Sequence, residues 1–299
     1  MDNKKAWIAL GIICIIWGTT YLFLKIGVHE MAPFLFSGIR QVTAGILLFI
    51  GLRIFLRLEK PSLENVLKQS AAGILMITVG NGLVAYGEVS IPSSLAAVIC
   101  ASMPVWVSLI NLVTPGAIKL TWVGYLPILL GVCGIFWLFS DSLTSLTDMK
   151  YLWGTILTLL ATFGWIGGSY IIKRGSGNSN PFLNTAIQMF SGGLGLLLVS
   201  LIIGEEHTFN LSSSGWVAMI YLILFGSIVA MMSYAYALKH LPLPIVSAYA
   251  YINPVVAIIL GWIVLNEKMS LSILGACLLI ILSVVLLNLP VSKRKTVLY

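Results

Sequence analysis

The feature that most limits what this chain can fold into is a succession of ten long apolar runs, separated only by proline, glycine and small clusters of charge. A membrane-spanning helix needs about 20 consecutive, mostly apolar residues. The spacing predicts spans at 6–26, 34–52, 68–87, 93–113, 121–139, 151–172, 182–203, 214–237, 243–265 and 270–289. Composition agrees, because only 9% of the 299 residues are charged, against about 25% in a soluble domain. Long apolar runs also argue against an outer-membrane barrel, whose strands alternate polar and apolar residues. The first run follows Lys4 and Lys5 as a secretory signal would. Its length, with no small-x-small site before the next run, predicts a retained span.

Ten spans place both termini on one side of the membrane, and Lys and Arg concentrate in cytoplasmic loops. On the side of the N-terminus lie Lys4, Lys5, Arg53, Arg57, Lys60, Lys68, Lys119, Lys173, Arg174, Lys239, Lys293, Arg294 and Lys295. The other side carries Lys25, Lys150 and Lys268. Both termini are therefore expected in the cytoplasm, and the net charge of +7 reads as a topology signal. No basic cluster sits on a soluble domain, so nucleic acid is not an expected partner.

A shift of about 150 residues superposes Ala85-Tyr86 on Ala235-Tyr236, Pro92 on Pro242, and Pro104-Val105 on Pro254-Val255. Near that offset Gly18-Thr19-Thr20-Tyr21 falls on Gly167-Gly168-Ser169-Tyr170. Two halves, 1–145 and 146–299, follow from this, each with five spans. An odd number of spans turns the second copy over. The expected fold is an all-α integral membrane protein with ten transmembrane helices in a 5+5 inverted-topology repeat, an architecture that places substrate between halves near the bilayer midplane.

The chain also resembles a family. Trp17-Gly18-Thr19-Thr20-Tyr21, Arg40 with Ala44, Ala97-x-x-x-Ala101-x-x-Pro104, Asn253-Pro254 and Leu265-Asn266-Glu267 are similar to the motifs of EamA-type permeases of the drug/metabolite transporter superfamily. The resemblance implies a permease in the bacterial inner membrane that moves small metabolites, often amino acids or related solutes and usually outward. One departure is that Glu267 falls opposite Ala117, so this acid is not duplicated.

Arg40 is the only formal charge well inside a predicted span, about 9 Å from its outer end at 1.5 Å per residue. A charge at that depth is expected to face protein or a wet cavity. It either holds a substrate carboxylate or serves as a structural clamp. Glu88 and Glu267 close or precede spans and read as solvated or paired interface charges. Polar and aromatic side chains at depth, Trp17, Tyr21, Asn81, Tyr86, Trp165, Tyr170, Tyr249 and Asn253, join Arg40 as candidate substrate contacts. Asn253 and Tyr249, four apart, share a helix face. Asn81 and Tyr86, five apart, point roughly 140° away from each other. Pro104 and Pro254 each remove a helical hydrogen bond and are candidate hinges. Gly164-x-x-x-Gly168 reads as a close-packing face.

Signatures of chemistry are missing: there is no Walker A sequence, HExxH or GxSxG. His29, His207 and His240 read as loop residues far apart, and the four cysteines lie in apolar runs without metal-ligand spacing. No metal, cofactor or enzymatic activity is expected. The function expected is alternating-access transport of small metabolites, amino acids foremost. The alternative is a lipid or lipid-linked-sugar flippase of the same architecture.

Overall fold

Proline, serine and asparagine set the helix starts. Pro33 and Pro181 occupy the first turn of their helices, where a missing N–H costs nothing, while Ser62, Asn180 and Ser212 accept hydrogen bonds from the first-turn amides. The computed structural model describes residues 2–56, 60–103, 106–107, 109–110, 126–127, 129–134, 136–137, 149–175, 179–247, 249–266, 271, 274–275, 278–279, 282–283 and 286. Regular structure among them is entirely helical: α1 (Asp2–Glu30), α2 (Pro33–Phe55), α3 (Leu63–Gly73), α4 (Gly82–Ser90), α5 (Ser93–Cys100), α6 (Met149–Gly175), α7 (Pro181–Ile203), α8 (Ser213–Tyr221), α9 (Ala230–His240), α10 (Leu243–Val246) and α11 (Tyr249–Leu265). Stretches of π-helix, Ile74–Asn81 and Leu222–Val229, join α3 to α4 and α8 to α9. Among the described residues six continuous helices are long and apolar enough to cross a membrane. The expected spans at 121–139 and 270–289 are described only in fragments, and Pro104 lies outside the described residues.

Lipid tails are as apolar as leucine, so close van der Waals packing must hold such helices together. At the α2–α7 contact a Cβ built on Gly45 would lie 2.8 Å from the Phe190 nitrogen, and one on Gly193 would lie 2.7 Å from that of Val42. Gly164 and Gly168 likewise bring α6 onto the backbone of α3 and its π stretch, near the Leu75 and Ala72 carbonyls. Ile50, Ile54, Leu198 and Ile202, on the outward faces of α2 and α7, are left exposed, as a lipid-facing perimeter requires.

Elements recur at offsets of 148 to 150 residues. α2 and α7 are both 23 residues long, and the two π stretches are both eight. Lys25 donates to the Glu88 and Ile91 carbonyls, the latter at 2.9 Å, and Lys173 donates to the Leu238 and Leu241 carbonyls at 2.6 and 3.0 Å. Each lysine thus ties its helix to the turn that follows the third span of its half.

Contacts at the helix ends fix relative directions. Glu205, just past α7, accepts from the Phe34 and Leu35 amides at the start of α2, at 3.1 and 2.9 Å. Glu30, closing α1, accepts from the amide and hydroxyl of Ser212, both at 2.7 Å. One end of the bundle therefore gathers the finish of α1 and α7 and the start of α2 and α8. At the opposite end Asn65, opening α3, donates to Asn184, opening α7, at 2.9 Å. α1 runs toward the Glu30 end and α6 runs away from it.

Three expectations change. Glu88 is 0% exposed and so not solvated, because α4 presses onto α6 just before it: a Cβ on Gly87 would fall 2.9 Å from the Gly154 carbonyl oxygen. His29 and His240 belong to the last turns of α1 and α9 and not to loops. The ninth run is interrupted at Ser247, seven residues before Pro254, and α11 continues through Pro254. The fourth run also breaks, although about one turn later in register, where α5 gives way to a turn at Ala101 and Ser102.

Candidate functional site

The two interrupted spans approach the same central space. From the first half come Trp17, Thr20 and Tyr21 on α1, Arg40 and Gln41 on α2, Asn81 from the π stretch, and Cys100 and Met103 around the first break. The second half supplies Thr162 and Trp165 on α6, Gly226 from its π stretch, and Tyr249, Ala250 and Asn253 after the second break. Together they bound a cavity of about 90 Å³. On that measure one water takes roughly 10–15 Å³, so the space suits a few waters or a compact solute. Interrupted helices are tolerated at membrane depth where they line such a cavity.

Aromatic rings form one wall. Trp17 lies 5.2 Å from Trp165, 5.2 Å from Tyr234 and 4.7 Å from Tyr249, centroid to centroid, mostly edge to face. Its indole N–H donates to the Gly226 carbonyl at 3.1 Å, pinning α1 to the opposite half. Ser169 and Tyr234 share a hydroxyl hydrogen bond of 2.7 Å behind the rings. Asn253, with its amide nitrogen turned toward the Tyr249 and Cys14 carbonyls at 3.1 Å, ties α11 to α1.

Arg40 is the only formally charged residue among those lining the cavity. It is 5% exposed, and its Nε donates to Ser227 Oγ at 2.9 Å. That bond crosses between halves and orients the guanidinium, whose terminal amino groups make no hydrogen bond among the described residues. Glu88 acts on the guanidinium through space without lining the cavity. A fixed guanidinium beside aromatic faces in a low-dielectric site suits a small anion, a carboxylate above all.

The sequence profile of the EamA-like transporter family matches this chain twice, over residues 5–140 and 152–289. The chain belongs to that family. Among EamA-like relatives, the inner membrane transporter YedA of Escherichia coli K12 is 37% identical over 286 residues, covering 94% of this chain and 90% of its own. Transporter YoaV of Bacillus subtilis is 25% identical, covering 96% and 99%. A solved crystal structure superposes with a TM-score of 0.75 over 96% of this chain and 98% of its own, at 17% identity, a likeness of fold alone.

Of the nine residues singled out in this EamA-like sequence as substrate contacts, seven meet at the cavity: Trp17, Tyr21, Arg40, Asn81, Trp165, Tyr249 and Asn253. Two do not. Tyr86 is 45% exposed and packs on Phe34, as its five-residue step from Asn81 implies. Tyr170 sits outside the lining, packed against the core beyond Trp165. Gln41 and Tyr234 were missed as contacts of the site. Gln41 met the criterion applied to Asn81, an amide inside an apolar run. Tyr234 lies behind the cavity, and only the fold brings it to Trp17.

Proposed function

We propose that this chain is an alternating-access permease of the bacterial inner membrane for small carboxylate-bearing metabolites, amino acids foremost. Arg40 carries the reading: a buried guanidinium, held by Ser227 of the other half, faces a cavity with no carboxylate in its lining. The substrate's carboxylate meets the guanidinium inside the cavity, where Glu88 acts only through space, and Trp17, Tyr21, Trp165 and Tyr249 enclose its apolar part, with Asn81 and Asn253 bordering it.

Two inverted halves, 1–145 and 146–299, rock about this site. The opposed directions of α1 and α6 and the matched elements support that arrangement, as does the double family match. Ten spans with cytoplasmic termini complete it. In this reading Pro254, inside α11 beyond the second break, and its counterpart in the sequence Pro104 serve as hinges.

The test is counterflow in proteoliposomes loaded with unlabelled amino acids, comparing the wild type with Arg40→Ala at equal folded protein. Saturable exchange that disappears in the variant is expected. Exchange that survives would reduce Arg40 to a structural clamp. Absence of exchange for every amino acid, with movement of labelled lipid instead, would move the assignment to a flippase.

A further inference from the structure

Beside Arg40 the cavity is lined by a polar group that no described residue engages. Gln41 is 0% exposed, lines the cavity, and neither its Oε1 nor its Nε2 has a hydrogen-bond partner among the described residues. Ser37, one turn earlier on the same face of α2, is 1% exposed, and its hydroxyl is likewise unpartnered among them. Buried polar groups are nearly always bonded, so an amide left with both its donor and its acceptor open needs an explanation.

The second half provides the comparison. At the corresponding places on α7 stand Thr185, Gln188 and Met189. Thr185 donates to the Pro181 carbonyl at 2.9 Å, Gln188 donates to Gln69 Oε1 at 2.6 Å, and Met189 has no hydrogen-bonding need. One copy of this helix face is satisfied or apolar, whereas the other turns an open guanidinium and an open amide into the cavity. Helix packing therefore has no requirement for Gln41, because the fold uses an unbranched apolar side chain of similar length at the equivalent site.

We propose that Gln41 determines specificity, accepting a hydrogen bond on Oε1 from the ammonium group of a small α-amino acid whose carboxylate is held by Arg40. The inference rests on the carboxylate reading above and narrows it. Residues 40 and 41 both line the cavity, and because successive side chains on a helix diverge by about 100° they meet its contents from different directions, as a carboxylate and an ammonium diverge from one carbon. No carboxylate lines the cavity to take the ammonium, and the faces of Trp17 and Tyr249 supply the rest of its environment. A cavity of about 90 Å³, on the measure in which one water takes roughly 10–15 Å³, has room for a small α-amino acid such as alanine.

Gln41→Met, the residue the second half carries, separates these roles. Wild-type proteoliposomes are expected to exchange labelled L-alanine, with unlabelled L-alanine competing better than L-lactate, which keeps the carboxylate and replaces the ammonium by hydroxyl. In Gln41→Met that preference is expected to fall about tenfold, the loss of one hydrogen bond to a charged group, while Arg40-dependent competition by L-lactate persists. Gln41→Asn, which keeps an amide but withdraws it by one methylene, is expected to weaken alanine and leave lactate unchanged, and it serves if the Met variant fails to fold. An unchanged preference in a folded variant overturns the role of Gln41 and leaves the permease reading standing. Failure of the wild type to exchange any α-amino acid overturns the amino-acid reading and this inference together.

Discussion

Ser227 holds one edge of the only guanidinium in the cavity, and the consequence is measurable. Ser227→Ala removes the acceptor of Arg40 Nε and leaves a buried charged donor without its partner, a change that costs about 1–3 kcal/mol. Alanine affinity in counterflow is expected to fall by roughly tenfold, with the protein still folded, because the cost falls on the orientation of Arg40. Unchanged affinity would mean that the crossing bond does not position the guanidinium. At this scale the sequence was informative wherever a residue was out of place in its surroundings. Arg40 stood out as a charge inside an apolar run, and Trp17 and Trp165 as aromatics at depth in the first and sixth runs. Glu88 was misread because its burial depends on Gly87 meeting Gly154, a contact between residues far apart in the chain that no local pattern announces.

The two copies of the second helix solve one physical problem in different ways. The first amides of a helix need acceptors, and α7 obtains one from its own Asn180, which accepts from Phe182 and Leu183. In α2 the residue before Pro33 is Ala32, which offers no side-chain acceptor, and Glu205 of the other half takes the equivalent Phe34 and Leu35 amides. Gly204, at φ 71°, makes this possible by ending α7 in a left-handed turn that directs Glu205 back across the bundle. Glu205→Ala and Asn180→Ala should each lower stability by about 1 kcal/mol, read as an earlier thermal transition in detergent. Glu205→Ala should also loosen the α2–α7 contact, seen as faster hydrogen exchange at Leu35 and Phe36. Equal exchange in wild type and variant would sink that coupling. Helix starts were legible because Pro33, Pro181 and Ser212 carry them in their chemistry. The π stretches and the breaks at Ser102 and Ser247 were not, since apolar runs of this kind read as continuous helix and the interruption depends on what packs around them.

At the scale of the molecule, Lys25 and Lys173 occupy corresponding positions at opposite ends of the bundle. Each donates to two carbonyls at the turn between the third and fourth spans of its own half. Those turns lead into the interrupted spans that border the cavity, so either lysine can hold one end closed while the other end opens. Cys100 reports on this, because it lines the cavity and is a free thiol. With Cys14, Cys133 and Cys277 replaced by serine, a membrane-impermeant thiol reagent reads access to Cys100 from each side of oriented vesicles. Lys25→Met removes the tie at the Glu30 end and should raise labelling from that side alone. Lys173→Met should raise it from the opposite side alone. A rocking pair of inverted halves requires this crossed pattern, because opening one end closes the other. Labelling that rises from both sides in either variant would indicate general loosening of the bundle, and unchanged labelling in both would mean that the two lysines cap helix ends without gating the cavity.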